Sequence, residues 1–582
     1  MRKISFDKFV LLLLLSALAL ACKKTNYLSA TVTSNLDSTS VFTDSTYAMQ
    51  FLNGIYTAAG FATDPKRFVS NGVGAGLDAA CDEAEGPNLS SSNGFTMFAT
   101  GTVNPTIVPT DAWGTPYANI RAVNQFLTHL YEIPFNPTLK LETRAEARFL
   151  RAWYYFIMLE HYGGIPLIGD SVFTSTTPLN VARSSFSACV NYITSECDSA
   201  AAYLPATQSG ANYGRASAGA CLALKSRCLL FAASPLFQNG GFGQGKGALD
   251  SIVAYPDNDA NRWVLAANAA MAVINLNAYS LFVDSIPGEP GYGFMYVFLR
   301  RYNPEYIFAN MMDEGNKYLE ELWDVPSRGG SGGPHPYQEL VDAFPMSNGL
   351  AITDPNSGYD STQPYQNRDP RLTYTVIHDS TIRPIYDQAP APVQLYLNAN
   401  YSPPIASSQD AVYTGTATGF YINKMLDTAV TWYGFNGSNR SLPLMRYAEI
   451  LLNFAEATNE AYGPTQQVYQ AVEAVRQRAG LRPYQLPTGL SQTDMRTAIQ
   501  TERQLEFAFE GLRFFDVRRW LIAAQTETLY MHGMEVDRSS AAGTVYKRFG
   551  VRQHNFNNAM YLWPIPLGEI AKSPNLLQNP LY

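Results

Sequence analysis

The sequence predicts a mainly α protein: pairs of antiparallel helices stacked like tetratricopeptide repeats, carrying a large loop-rich face with a few short strands. Three observations predict it. Apolar residues recur at helical spacing in nine segments, several of them adjacent and joined by short links. Such pairs cannot bury their apolar faces alone, so they stack. Between about residues 276 and 441 the periodicity stops, and Pro, Gly, Asn, Asp and Tyr dominate. Finally, 46% of the residues are hydrophobic and only 15% are charged, which supplies a core and rules out a disordered chain.

In chain order, Arg2, Lys3 and Lys8 precede an apolar run from Val10 to Ala21. The run is too short to span a bilayer as a helix and reads as an export signal, residues 1–21. It ends in Ala19-Leu20-Ala21-Cys22, a lipobox-like site at which Cys22 would be cleaved and lipidated. Residues 22–45, rich in Thr, Ser, Asn and Asp, read as a tether. Helices are predicted near 46–56, 117–131, 141–162, 185–203, 218–234 and 263–276. The Leu150–Phe156 stretch is apolar nearly all round and belongs in a bundle interior. The loop-rich region, 277–443, holds short strand-like runs at Leu372–Ile377 and Val393–Leu397. Helices return near 444–461, 465–479 and 493–510, so that region reads as insertion-like within one unit spanning 46–582. No later segment reaches 18 uninterrupted apolar residues, the length a spanning helix requires.

The net charge of −8 argues against a nucleic-acid partner, which needs a basic surface. Low charge density and 36 tyrosines suit a neutral polar ligand. The literal motif matches fail on context. Gly240–Lys246 resembles a phosphate loop, but Gly247 stands where Ser or Thr would hold Mg²⁺. Gly329-Gly330-Ser331-Gly332-Gly333 fits a nucleophile elbow, but Pro334-His335-Pro336 forbids the helix that must follow. The six histidines form no close metal pair, and neither metal nor cofactor is expected. Cys81, Cys189, Cys197, Cys221 and Cys228 lack CxxC spacing and read as buried thiols, although a disulfide between helices stays open. Glu502, Glu506 and Glu510 share a helix face, with Arg503, Arg513, Arg518 and Arg519 nearby, and read as a structural charge network. Sugars stack their C–H faces on aromatic rings, so candidate platforms are Phe95, Phe98, Tyr292, Tyr296, Tyr318 and, above all, Trp323, with Asp82 as a polar contact.

Several blocks then resemble the SusD/RagB family of outer-membrane nutrient-binding lipoproteins. They are Ala145–Phe156 running through Tyr162-Gly163-Gly164-Ile165-Pro166, Gly214-Arg215-Ala216-Ser217, Gln338–Phe344 with Asn367-Arg368-Asp369-Pro370-Arg371, Met445–Leu452, Val475–Leu481, Glu502–Trp520 and Leu562-Trp563-Pro564-Ile565-Pro566. The resemblance implies a non-catalytic, SusD-like fold at the cell surface. Such a protein captures oligosaccharides or polysaccharides and passes them to a SusC-like TonB-dependent transporter, anchored in the outer membrane through Cys22. Its Arg and Glu residues would be scaffold pairs rather than sugar contacts. Two other readings stand beside it: a glycoside hydrolase using a pair from Asp82, Glu83, Glu85 or the 502–510 acids, and a transporter lid that binds peptides or no ligand of its own.

Overall fold

The computed structural model describes residues 38–68, 74–87, 94–174, 177, 180–283, 288–398, 400, 404–430, 437–539 and 543–582. The export signal, Cys22 and most of the tether lie outside them. Helices run Ser45–Thr57, Asp111–His129, Pro137–Tyr162, Phe186–Ala201, Ala218–Ala233 and Asn261–Ile274, then Tyr447–Tyr462, Gln466–Arg478 and Gln492–Glu506. Local chemistry sets their ends. Asn136 accepts from the Leu139 amide at 2.9 Å, with Pro137 pre-set in the first turn. The helix stops at Gly163, whose φ of +77° suits a residue without Cβ.

Each helix packs on its sequence neighbour: 111–129 on 137–162, then 186–201, 218–233 and 261–274 in turn. The next neighbour of 261–274 is 447–462, which packs on 466–478 and 492–506. The loop-rich region thus leaves the helical pile after one helix and returns before the next. Its way in and way out are tied together: Tyr306–Asn310 pairs antiparallel with Leu442–Arg446.

Two buried apolar clusters result. The larger runs through the helical pile and includes the 137–162 helix, whose 149–159 stretch is buried all round as the composition of Leu150–Phe156 required. The second is assembled from residues 294–344, 372–426 and 505–536 and sits under the loop-rich face.

Between the clusters lies a buried ion network. Glu506 accepts from Arg446 at 2.7 Å, from Arg371 at 3.1 Å and from Arg478. Glu305 takes Arg446 and Arg478, each at 2.7 Å, and Glu502 takes Arg371 at 2.6 Å. Lys424 bonds Glu510 at 2.7 Å. The glutamates on the 492–506 helix therefore pair mainly with cations from distant segments. The nearby arginines go elsewhere: Arg503 to Asp516, Arg513 to Asp82, Arg518 to Glu527 and Arg519 to Glu456. Burial on its own would raise the Glu506 carboxyl, but Arg478, Arg446 and Arg371 pull it down to about 2.

Two expected strands change type. Leu372–Ile377 is a helix from Pro370 to Thr375 followed by a two-residue strand, because Asp369 caps it by accepting from the Arg371 amide. Of Val393–Leu397, only Leu397 joins a strand. The longest strands, Tyr530–Asp537 and Val545–Gln553, form a hairpin in a stretch where the sequence pattern showed none. All five described cysteines are buried free thiols. No single helix among the described residues is long and apolar enough to cross a membrane.

The C-terminal segment clasps the helical pile. The Trp563 amide donates to the His161 carbonyl at 2.7 Å. Asn579 donates to the carbonyls of Tyr162 and Trp563, and Arg183 to that of Leu577.

Candidate functional site

Helix Tyr318–Trp323 decides which of its two aromatic rings meets solvent. Leu319, Leu322 and Trp323 point together into the second cluster, and Trp323 is 0% exposed. Its indole lies against Gly333, where an added Cβ would fall 2.5 Å from Cδ1. Trp323 is therefore a core residue and offers no ring face to a sugar. Tyr318, at the helix start, stays half-buried. Its hydroxyl donates to Asp64 Oδ1, which also accepts from the Lys66 amide at 2.7 Å. Lys66 Nζ stands 4.6 Å from the Tyr318 ring centroid. Burial, and then the Asp64 carboxylate, raise the Tyr318 hydroxyl well above its ordinary range, so it remains a neutral donor. Asn316, two residues back, has a buried side-chain oxygen with no hydrogen-bond partner among the described residues.

The same 53–66 segment borders a cleft of about 290 Å³ lined by Asn53, Tyr56, Tyr213, Arg215, Asn310 and Met311. The turn at Gly60, between Tyr56 and Asp64 in the chain, lies directly on Asn310. Arg215 is held between Asn53 Oδ1 at 2.6 Å and Glu146 at 2.7 Å, and Tyr56 donates to the same Glu146 at 2.6 Å. Burial raises the Glu146 carboxyl, and Arg215 opposes that rise. The Arg215–Glu146 ion pair bordering the cleft is thus internally neutralised, and the rest of the wall is largely aromatic and apolar, with Tyr213 packed edge-on to Tyr302 at 4.7 Å. Such a site holds uncharged hydroxyls rather than ions.

The remaining candidates divide. Tyr292 and Tyr296 are half-buried neighbours on helix Tyr292–Leu299, their centroids 4.3 Å apart, with Arg300 4.5 Å from the Tyr296 centroid. They form a ledge of their own; the other face of that helix buries Phe294 and Phe298 around Lys424. Phe95 and Phe98 are core residues: Phe95 lies on the backbone of Gly86, and Phe98 packs between Phe514 and Trp563. Asp82 is buried in a two-point pair with Arg513 at 2.9 and 2.7 Å, which leaves no free edge for a ligand. Asp64, Lys66, Asn53 and Tyr56 escaped the sequence reading. Arg215 was visible there only as part of a scaffold motif. Among the described residues no His, Cys, Asp or Glu group is arranged to hold a metal.

Residues 301–582 match the SusD family, and residues 76–230 match a family described as starch-binding and associating with the outer membrane. The chain belongs to the SusD/RagB family. A SusD-like protein from Bacteroides fragilis is 26% identical, with 93% of this chain and 98% of that chain aligned at a TM-score of 0.75. SusD-like protein P2 of Formosa agariphila is 33% identical over 152 residues, 25% of this chain. That match spans 26% of the relative's own length. Surface glycan-binding protein A from Bacteroides fluxus shares the fold at 19% identity and a TM-score of 0.60, over 92% of this chain and 99% of that one. SusD-family proteins bind carbohydrate and associate with the outer membrane. The family-motif residues Arg371, Arg446, Glu502 and Glu506 all fall in the buried network.

Proposed function

We propose that this protein captures a neutral oligosaccharide or polysaccharide on the surface formed by Tyr318, Lys66, Asp64 and the Tyr56–Arg215 cleft. It hands the glycan to a SusC-like TonB-dependent transporter while anchored in the outer membrane through Cys22, facing the cell surface. Residues 46–582 act as one unit, with the 277–443 excursion carrying part of the ligand face. The observation that carries the reading is Tyr318: a half-buried ring pinned by Asp64 and flanked by Lys66, on the same 53–66 segment that contributes Asn53 and Tyr56 to an aromatic-lined cleft without net charge. Stacking and hydroxyl hydrogen bonds need no net charge. A non-catalytic role is supported by the acids a hydrolase would need: Asp82, Glu83 and Glu85 are all buried, and so are Glu502 and Glu506. No pair of them brackets an open cleft.

The test is native affinity electrophoresis of the full chain in gels containing starch, laminarin or other neutral polysaccharides, with Tyr318→Ala alongside. Retardation in one glycan, without release of reducing ends, is the expected result. Loss of one stacking platform should weaken it about fivefold to tenfold. Reducing-end release, or retardation unchanged in the variant, would overturn the reading.

A further inference from the structure

A second cleft lies on the helical half, away from Tyr318. It measures about 450 Å³ and sits between helices 111–129, 137–162 and 186–201. That volume falls in the range of about 300–1,000 Å³ typical of small-ligand sites. Its character is opposite to that of the neutral cleft. Lys140, Arg144, Arg148 and Arg151 follow one another along the 137–162 helix at spacings of four, four and three, so they share a face. Two carboxylates meet them. Glu196 takes Arg148 at 2.6 Å and Arg151 at 2.8 Å, and Asp170 takes Arg151 at 2.5 Å. Lys140 donates to the Tyr131 carbonyl at 3.0 Å. Arg144 is exposed on the cleft wall and pairs with no acid among the described residues. Arg148 binds Glu196 through Nε and Nη2, and its side chain remains 25% exposed.

Of the other acids nearby, Glu132 pairs with His129 at 2.9 Å, and Glu142, two residues from Arg144 on the helix, lies on a different face and outside the cleft lining. The cleft therefore carries an excess of positive charge in a chain whose net charge is −8. Two tyrosine rings border it: Tyr131, 78% exposed, and Tyr192, half-buried with the Arg151 guanidinium 5.7 Å from its centroid.

We propose that this cleft binds an acidic sugar residue, with its anionic group on Arg144 and the open edge of Arg148 and its ring face against Tyr131. Guanidinium forks match both carboxylates and sulfate esters, so the shared chemistry is an anion carried on a pyranose. The protein would then hold two kinds of sugar unit at two places, a neutral one at Tyr318 and a charged one here.

The experiment is calorimetric titration of the full chain with trigalacturonate, with a sulfated galactose disaccharide, and with maltotriose as the neutral probe. Arg144→Glu and Tyr131→Ala are measured beside the wild type. Both residues are exposed, and circular dichroism checks that the variants fold. Binding of one acidic probe is expected, and which one binds separates the carboxylate from the sulfate source. Affinity should fall at least about tenfold in Arg144→Glu and several-fold between about 50 and 300 mM salt, while retardation in neutral polysaccharide gels stays unchanged. Absence of binding by both acidic probes would overturn the proposal. So would equal affinity in Arg144→Glu, or tighter binding of polyglutamate than of either sugar, which would make the cleft a peptide site.

Discussion

Replacing Glu506 by Gln removes one charge and almost no volume, so its effect isolates the buried network. Glu506 is 0% exposed and accepts from Arg446, Arg478 and Arg371, while its backbone carbonyl accepts from Lys424 and Arg446. In the folded protein its carboxyl titrates near 2 instead of 4.5. That difference is worth about 3 kcal/mol at neutral pH. An independent estimate is the cost of leaving buried cations short of a partner, about 3–5 kcal/mol. The two agree, and Glu506→Gln should lower unfolding stability by about 3 kcal/mol at pH 7. The sign with pH follows from the depressed value. The stabilisation is present above pH 4.5 and is lost as pH falls toward 2, so the gap between wild type and variant should close over that window. Urea unfolding followed by circular dichroism at pH 7, 5 and 3 measures it. A difference below about 1 kcal/mol at pH 7, or one that does not change with pH, would refute the reasoning.

Two further outcomes follow from burial. Trp323→Ala empties a fully enclosed site and should cost about 3–5 kcal/mol in the same unfolding assay, while the folded fraction still binds neutral glycan; loss of binding at full stability would contradict its place in the core. Glu160 has its carboxyl pushed up to about 8 by burial, with Arg227 and Arg67 opposing. A raised acid lends stability below pH 4.5 that is lost as pH rises through 8, so Glu160→Gln should gain about 2 kcal/mol or more on wild type at pH 8 and nothing at pH 4. Equal stabilities at pH 8, read from thermal unfolding, would count against it.

The helical pile was legible in the sequence because amphipathic periodicity reports burial directly. The Leu150–Phe156 stretch announced itself by apolar residues nearly all round, and the excursion by the loss of helical periodicity. The hairpin was hidden for the converse reason. Val545–Gln553 is exposed or half-exposed along its whole length, so no alternation marks a buried side. The start of helix Pro370–Thr375 was signalled by Asp369-Pro370, but the β-branched run after it outweighed the cap. The site was harder to read. Trp323 and Tyr318 look alike in a polar stretch, and what separates them is a cluster built from three segments, the last of them more than a hundred residues beyond Trp323. Asp64 and Lys66 gave no signal, because their meaning comes from Tyr318, 254 positions away from Asp64.

The clasp formed by the C-terminal segment changes how the helical pile assembles. A stack of helical pairs, each touching only its neighbours, can form and fray one repeat at a time. Here Asn579 closes on Tyr162 across 417 positions, and Trp563 and Leu577 seal the same corner. The entropy of that closure is lost once, and the contacts it makes hold together every repeat it encloses. A ladder of independent rungs becomes a ring. Shortening the chain by a few residues at Asn579 should therefore loosen helices hundreds of residues away, and the protein should unfold as a whole rather than peel from one end.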